Sequence, residues 1–155
     1  MARLRFWPAT RRDAEYIAGN LRDSDWIELS YSSGDPAGAT VYSAMTSEMC
    51  WVGVTPKDVP VCIFGVAELS SDIGSPWMVG TPELMQYRRD MLTEGKRYSR
   101  LMNKMYPFLT NYVYYHNVDT IRWLKACGYT IGSLEPHYGV GQQPFFHFYR
   151  SAADV

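Results

Sequence analysis

The sequence has little that would anchor it in a membrane or staple it covalently. No run approaches the ~18 apolar residues a spanning helix needs, and Met1 to Pro8 holds no apolar stretch long enough for a secretory leader. Cysteine is scarce: Cys50, Cys62 and Cys127 form an odd, widely spaced set. They lack the CxxC or Cys/His spacing of a zinc site and suit a reducing compartment. Cys62 and Cys127 lie in apolar runs and read as small buried residues. Excess charge is missing as well. Fifteen Lys and Arg against sixteen Asp and Glu leave a net charge of -1, without the strongly cationic surface of a general nucleic-acid binder. Internal repeats and low-complexity segments are absent.

What is present is enough for one globular domain over residues 1–155. Hydrophobic residues make up 46% and charged residues 20% of the chain, a balance that favours a packed core over disorder. Aromatics reach 15%, with twelve Tyr. Such rings serve cores and protein interfaces alike.

The pattern predicts a strand at Leu4–Trp7, ended by Pro8. Thr10 is placed to cap a helix carrying Ala14, Ile17, Ala18 and Leu21 at helical spacing. A second helix starts at Asp23 or Ser24, with Trp26, Ile27 and Leu29 inward. Asp35-Pro36 opens a third, through Val41, Ala44 and Met45. Cys50–Val54 and Val59–Leu69 form a hairpin around Thr55–Asp58, and Pro76–Val79 is a further strand. Gly80-Thr81-Pro82-Glu83 opens the longest helix, with Leu84, Tyr87, Met91, Tyr98, Met102 and Met105 on its inner stripe. Gly95 falls on that stripe and marks close approach of another backbone. Leu109–Tyr115 is a strand, Val118–Cys127 a helix stopped by Gly128, and Tyr129–Leu134 and Phe145–Tyr149 the last strands. Strands alternating with helices predict an α/β architecture with a partly parallel, mixed sheet.

Several side chains are candidates for chemistry. Glu68, near the end of an apolar strand, is a general base if buried and an ordinary strand-end carboxylate if not. Arg22, Asp25 and Glu28 lie three apart, on one helix face, as a local ion-pair network or the border of a cleft. His116 stands beside Asn117 at a strand end. His137 sits in a Gly/Pro-rich loop, and His147 faces solvent from a strand. No metal-ligand spacing is found. The longest helix carries Arg88, Arg89, Lys96, Arg97, Arg100 and Lys104 against Asp90 and Glu94, a solvated face or a docking face for an acidic partner or DNA.

The segment Asn117-Val-Asp-Thr120-Ile-Arg-Trp-Leu124-Lys-Ala-Cys-Gly128-Tyr129 reads physically as a capped helix that docks on a sheet, is stopped by Gly and re-enters the sheet. It also resembles the end of the GNAT acyltransferase fold, with Asn117, Gly128 and Tyr129 in place and Thr120 where Ala is usual. Five blocks in order resemble more closely the GNAT-like proteins of tailed phages, which include internal virion proteins of short-tailed phages and others called acetyltransferases. These blocks are Arg22–Glu28, Val61–Val66, Pro76–Thr81, Asn117–Lys125 and Pro144–Phe148.

The resemblance implies a GNAT-like mixed sheet of six or seven strands with flanking helices. In an active member, Val79, Gly80, Thr81 and Asn117 would bind acetyl-CoA, and Glu68, His116 and Asn117 are the catalytic candidates. Two departures count against that chemistry. The stretch where the family's glycine-rich loop holds pyrophosphate is Met78–Leu84, with one glycine, a proline that has no N–H to donate, and the Glu83 carboxylate. The position of the family's general-acid Tyr is Leu124, which carries no proton; Tyr115 or Tyr129 could replace it only from another direction. The expectation is therefore a phage GNAT-fold protein acting as a structural or assembly component of the virion, without a cofactor. Its partners would be other virion proteins rather than nucleic acid or membrane, after synthesis in the bacterial cytoplasm. The alternatives are an active N-acetyltransferase that moves acetyl from acetyl-CoA to an amine, and a small phage effector that binds a host protein.

Overall fold

The computed structural model describes residues 3–152. Seven strands and five helices follow in the order β1 (Arg5–Pro8), α1 (Arg11–Ala18), α2 (Asp23–Ser32), α3 (Pro36–Thr46), β2 (Met49–Val54), β3 (Pro60–Glu68), β4 (Ile73–Gly80), α4 (Arg88–Met105), β5 (Phe108–Tyr114), α5 (Val118–Ala126), β6 (Thr130–Tyr138) and β7 (Gln143–Ser151). A 3-10 segment, Pro82–Tyr87, joins β4 to α4. The strands form one sheet in the order β1-β2-β3-β4-β5-β7-β6. Every neighbouring pair is antiparallel except β4 and β5, which are parallel.

Local chemistry explains most boundaries. Thr10 and Asp13 form a reciprocal capping box at the start of α1. Asp35 accepts the Gly38 N–H, and Pro36 takes the first turn of α3. Gly128 ends α5 with φ 92, a left-handed conformation that suits glycine.

Alternation along the strands makes two cores. On β3, Cys62, Phe64 and Val66 face a layer with Met91, Tyr98, Met102 and Leu124 of α4 and α5. Ile63 faces the opposite layer, with Ala14, Ile17 and Ala44 of α1 and α3. The sheet is thus covered on both sides.

Three expectations need correction. On α2, Trp26 and Ile27 are 51% and 43% exposed, while Asp25 is buried. The helix turns a polar face inward because its carboxylates meet strand ends. The longest helix opens at Arg88 rather than at Gly80–Glu83. Thr81 makes no side-chain cap, and Tyr87, at φ -120 and ψ 35, breaks the helical path between the 3-10 segment and α4. Gly95 meets side chains rather than backbone: a Cβ there would lie 2.7 Å from the Cys127 sulfur and 2.8 Å from the Trp123 ring.

Candidate functional site: a gap between two parallel strands

β4 and β5 pair only at Ile73↔Phe108 and Gly74↔Leu109. Beyond Gly74 the strands diverge, and the gap runs along six further residues of β4, roughly 20 Å. A cavity of about 190 Å³ fills it, walled by Trp77, Tyr112, Tyr138 and Phe145 on one side and by Tyr98, Met102 and Leu124 on the other. These walls belong to both layers, so the gap passes through the sheet. A second pocket of about 170 Å³ adjoins it. It shares Met78, Met91, Thr120 and Trp123 and is edged by Arg22, Arg88 and Asp119. Trp77 does not fill the gap: its indole N–H donates to the Ser47 hydroxyl (2.7 Å), within the α1–α3 layer. Met85 and Tyr115 are 38% and 42% exposed and leave it open too.

Where two strands part, backbone groups lose their partners, and buried unpaired groups are costly. Here side chains replace the missing rungs. Asn111 sits on β5 nearest the closed end. Its Nδ2 donates to the Pro76 carbonyl (2.7 Å) and its Oδ1 accepts the Tyr112 N–H (2.8 Å). At the open end α2 straps across. The Asp25 carboxylate accepts the Gly80 N–H (2.8 Å), and the Arg22 N–H donates to the Gly80 carbonyl (2.9 Å). Glu28, one turn on, accepts the Tyr114 N–H (2.8 Å) and the Asn117 side-chain N–H (3.2 Å). Odd residues of β4 bond to β3, as the Thr81 N–H does to the Val61 carbonyl. Met78 therefore directs its own N–H and C=O into the gap between the satisfied groups of Pro76 and Gly80.

The electrostatics follow from this strap. Burial pushes the Glu28 carboxyl up to about 7, against the lowering effect of the Tyr114 and Asn117 donors; Asp25 adds a small push upward, and Arg22 a small pull down. Burial also raises Asp25, opposed by the Arg22 guanidinium at 2.6 Å and by the Gly80 N–H. Tyr129, on the cavity wall, is pushed up to about 12 by burial and receives a hydrogen bond from Ser99 (3.1 Å). It keeps its proton at neutral pH.

The candidate residues separate. Asn117 reaches the gap. It holds the N-cap position of α5, but its side chain makes no cap and bonds Glu28 instead. His116 is exposed, its ring against Tyr114 and Tyr115. Glu68 is exposed at the closed end, opposite Gly74, and accepts the Tyr106 hydroxyl (3.0 Å). Val79 packs into the α1–α3 core, and the backbone groups of Gly80 and Thr81 described above are paired within the chain. Glu83 is not the carboxylate that meets the end of β4; Asp25 is. His147 contacts Thr110 and the rings of Tyr112 and Tyr149 rather than standing free in solvent. Glu28 and Asn111 are the residues that sequence reasoning undervalued. Their only local signals are a carboxylate three residues after Asp25 and an amide inside an aromatic-rich strand. Among the described residues no group of His, Cys, Asp and Glu is placed to hold a metal ion, and no helix is long and apolar enough to cross a membrane.

This architecture, with one parallel pair splayed at the centre of a seven-stranded mixed sheet, is the α/β GNAT-like fold. Solved acetyltransferases share it. A GNAT-family acetyltransferase from Bacillus anthracis superposes with a TM-score of 0.71 at 10% identity, over 97% of this chain and 96% of that one. Spermidine N-acetyltransferase from Vibrio cholerae, solved with CoA and spermine, gives 0.69 at 17% identity, over 98% and 97%. No family model matches the sequence, and no curated protein matches it significantly. At these identities the likeness is one of fold.

Proposed function

We propose that the chain is a GNAT-fold protein that works by docking to other proteins, as a structural or assembly component of a tailed-phage virion, and that it does not use acetyl-CoA. One observation carries the second half: beside the Met78 N–H and C=O, which face the gap, the Pro76 carbonyl, the Gly80 N–H and carbonyl, and the Tyr112 and Tyr114 N–H groups, with which a cofactor arm would have to pair, are bonded by Asn111, Asp25, Arg22 and Glu28 of the chain itself. A ligand that paired there would first have to break these bonds, at a cost of about 1–3 kcal/mol for each buried group left unmet. The phosphate end fits no better. From Thr81 to Glu94 the chain has no glycine, so a side chain stands at every residue where bare backbone would approach an anion. The virion placement rests on the five sequence blocks described above.

A second reading, an active N-acetyltransferase, is favoured by the open cavity and by Glu28. A carboxyl that titrates near neutrality at the edge of such a gap is suited to accept a proton.

Melting the protein with and without acetyl-CoA separates the two. A ligand at about 100 times its Kd adds roughly 2.7 kcal/mol, which for a chain of this size raises the Tm by roughly 5 to 11 °C. The expected result is no shift. A clear rise, or CoA carried through purification, would refute the cofactor-free reading. Mass spectrometry of purified particles tests the placement: the chain is expected at a constant copy number, and its absence would remove the virion role.

A further inference from the structure

We propose that the outer face of α4 is a docking surface for an acidic, leucine-bearing helical segment of another protein. The proposal rests on the docking reading above and names the surface and the partner chemistry.

The inner face of α4 is spent on the core through Met91, Tyr98 and Met102. On the opposite face, Lys96, Arg100 and Lys104 are exposed and follow one another at i,i+4 spacing, about 6 Å apart along the axis. Arg89, also exposed, lies two turns earlier on the same line. The stripe therefore runs about 22 Å. The acids of the helix do not pair with Lys96, Arg100 or Lys104. Glu94 pairs with Arg97 at 2.7 Å, and Asp90 accepts the Leu4 N–H at 2.6 Å. None of the four ion pairs among the described residues involves Lys96, Arg100 or Lys104.

The helix carries six cations and two carboxylates, an excess of four in a chain whose net charge is -1. The remainder of the molecule is therefore negative by five. Such a charge distribution steers an acidic partner to this face and repels it elsewhere. Two exposed leucines flank the stripe, Leu92 at 39% and Leu101 at 37% exposure. Apolar side chains beside cations suit a protein segment, which can bury leucines while its carboxylates meet the stripe. They offer little to a nucleic-acid backbone, whose recognition is dominated by phosphate charge.

The probe is a labelled synthetic helical peptide of about four turns, with Glu at i,i+4 positions and Leu between them, titrated by fluorescence anisotropy. Comparison ligands are oligoglutamate and a DNA duplex of similar length. The protein variants are K96E/R100E/K104E and the milder K96Q/R100Q/K104Q, each accepted only if its melting temperature matches the parent. The peptide is expected to bind the parent, at least roughly tenfold more weakly to either variant, and weakly in about 0.5 M salt. No binding to the parent, equal binding to parent and variants, oligoglutamate bound as tightly as the peptide, or the duplex bound more tightly would each overturn the proposal. An acetyl-CoA-induced rise in Tm would instead strike the cofactor-free reading and leave this binding result unchanged.

Discussion

Replacing Glu28 with Gln should change how the stability of the protein depends on pH. In the folded state burial holds the Glu28 carboxyl at about 7, against 4.5 for an unperturbed Glu. Below pH 4.5 the folded and unfolded forms are both protonated, and Glu28 costs nothing. Between 4.5 and 7 the unfolded chain has released this proton and the folded chain retains it, so stability falls as pH rises. Above 7 the penalty is complete. The distance from 4.5 to about 7 corresponds to on the order of 3 kcal/mol. Gln keeps a carbonyl oxygen for the Tyr114 and Asn117 donors but cannot ionise. E28Q should therefore gain on the parent as pH rises, by on the order of 3 kcal/mol between pH 4.5 and 8, or roughly 6 to 12 °C in Tm. Urea unfolding of both proteins across this range measures the difference directly. A pH-independent packing effect of the substitution shifts the whole curve but not its slope. A flat difference, or one that falls with pH, would refute the assignment of Glu28 as a desolvated carboxylate.

Three further substitutions probe the same scaffold. Asn111→Ala removes the rung that joins the Tyr112 N–H to the Pro76 carbonyl and should cost about 1–3 kcal/mol by urea unfolding; a neutral result would mean that water replaces the amide without loss. Arg150 is 5% exposed and donates to the Cys127 carbonyl (3.1 Å) and to Asn103. Arg150→Met leaves both acceptors unmet and should cost at least about 2 kcal/mol, whereas an unchanged Tm would show the guanidinium to be dispensable. Gly95→Ala gains about 1 kcal/mol of helix propensity but forces a methyl against Cys127 and the Trp123 ring. The ring is held by its N–H bond to the Met91 carbonyl (2.9 Å). Net destabilisation is expected, and a higher Tm would show that the ring yields.

What the sequence revealed was mostly local. Thr10 with Asp13, Asp35-Pro36, the Thr55–Asp58 turn and Gly128 each act within a few residues, and the pattern places all of them correctly. The gap was not legible, because each of its rungs joins distant positions: Asp25 to Gly80, Glu28 to Tyr114 and Asn117, Asn111 to Pro76. Apolar periodicity misassigned α2 for the same reason. It turns Trp26 and Ile27 inward, whereas the unmet amides of two strand ends draw Asp25 and Glu28 to that side. Asn117 illustrates the competition: a residue suited to cap α5 gives its side chain to Glu28 instead. Arg150, a buried cation tied to a helix-end carbonyl, carried no local signal.

The closed end of the gap has a mechanical consequence. Only two residues on each of β4 and β5 join the halves of the sheet by backbone pairing; beyond them the seam is held by Asn111, by α2 through Arg22, Asp25 and Glu28, and by the core that both halves share with α4 and α5. Each half keeps its own antiparallel ladder, longer than the two pairs that cross the seam. The polar part of that grip resides in a few replaceable side chains, so single-residue changes there loosen or tighten the seam while both slabs keep their ladders.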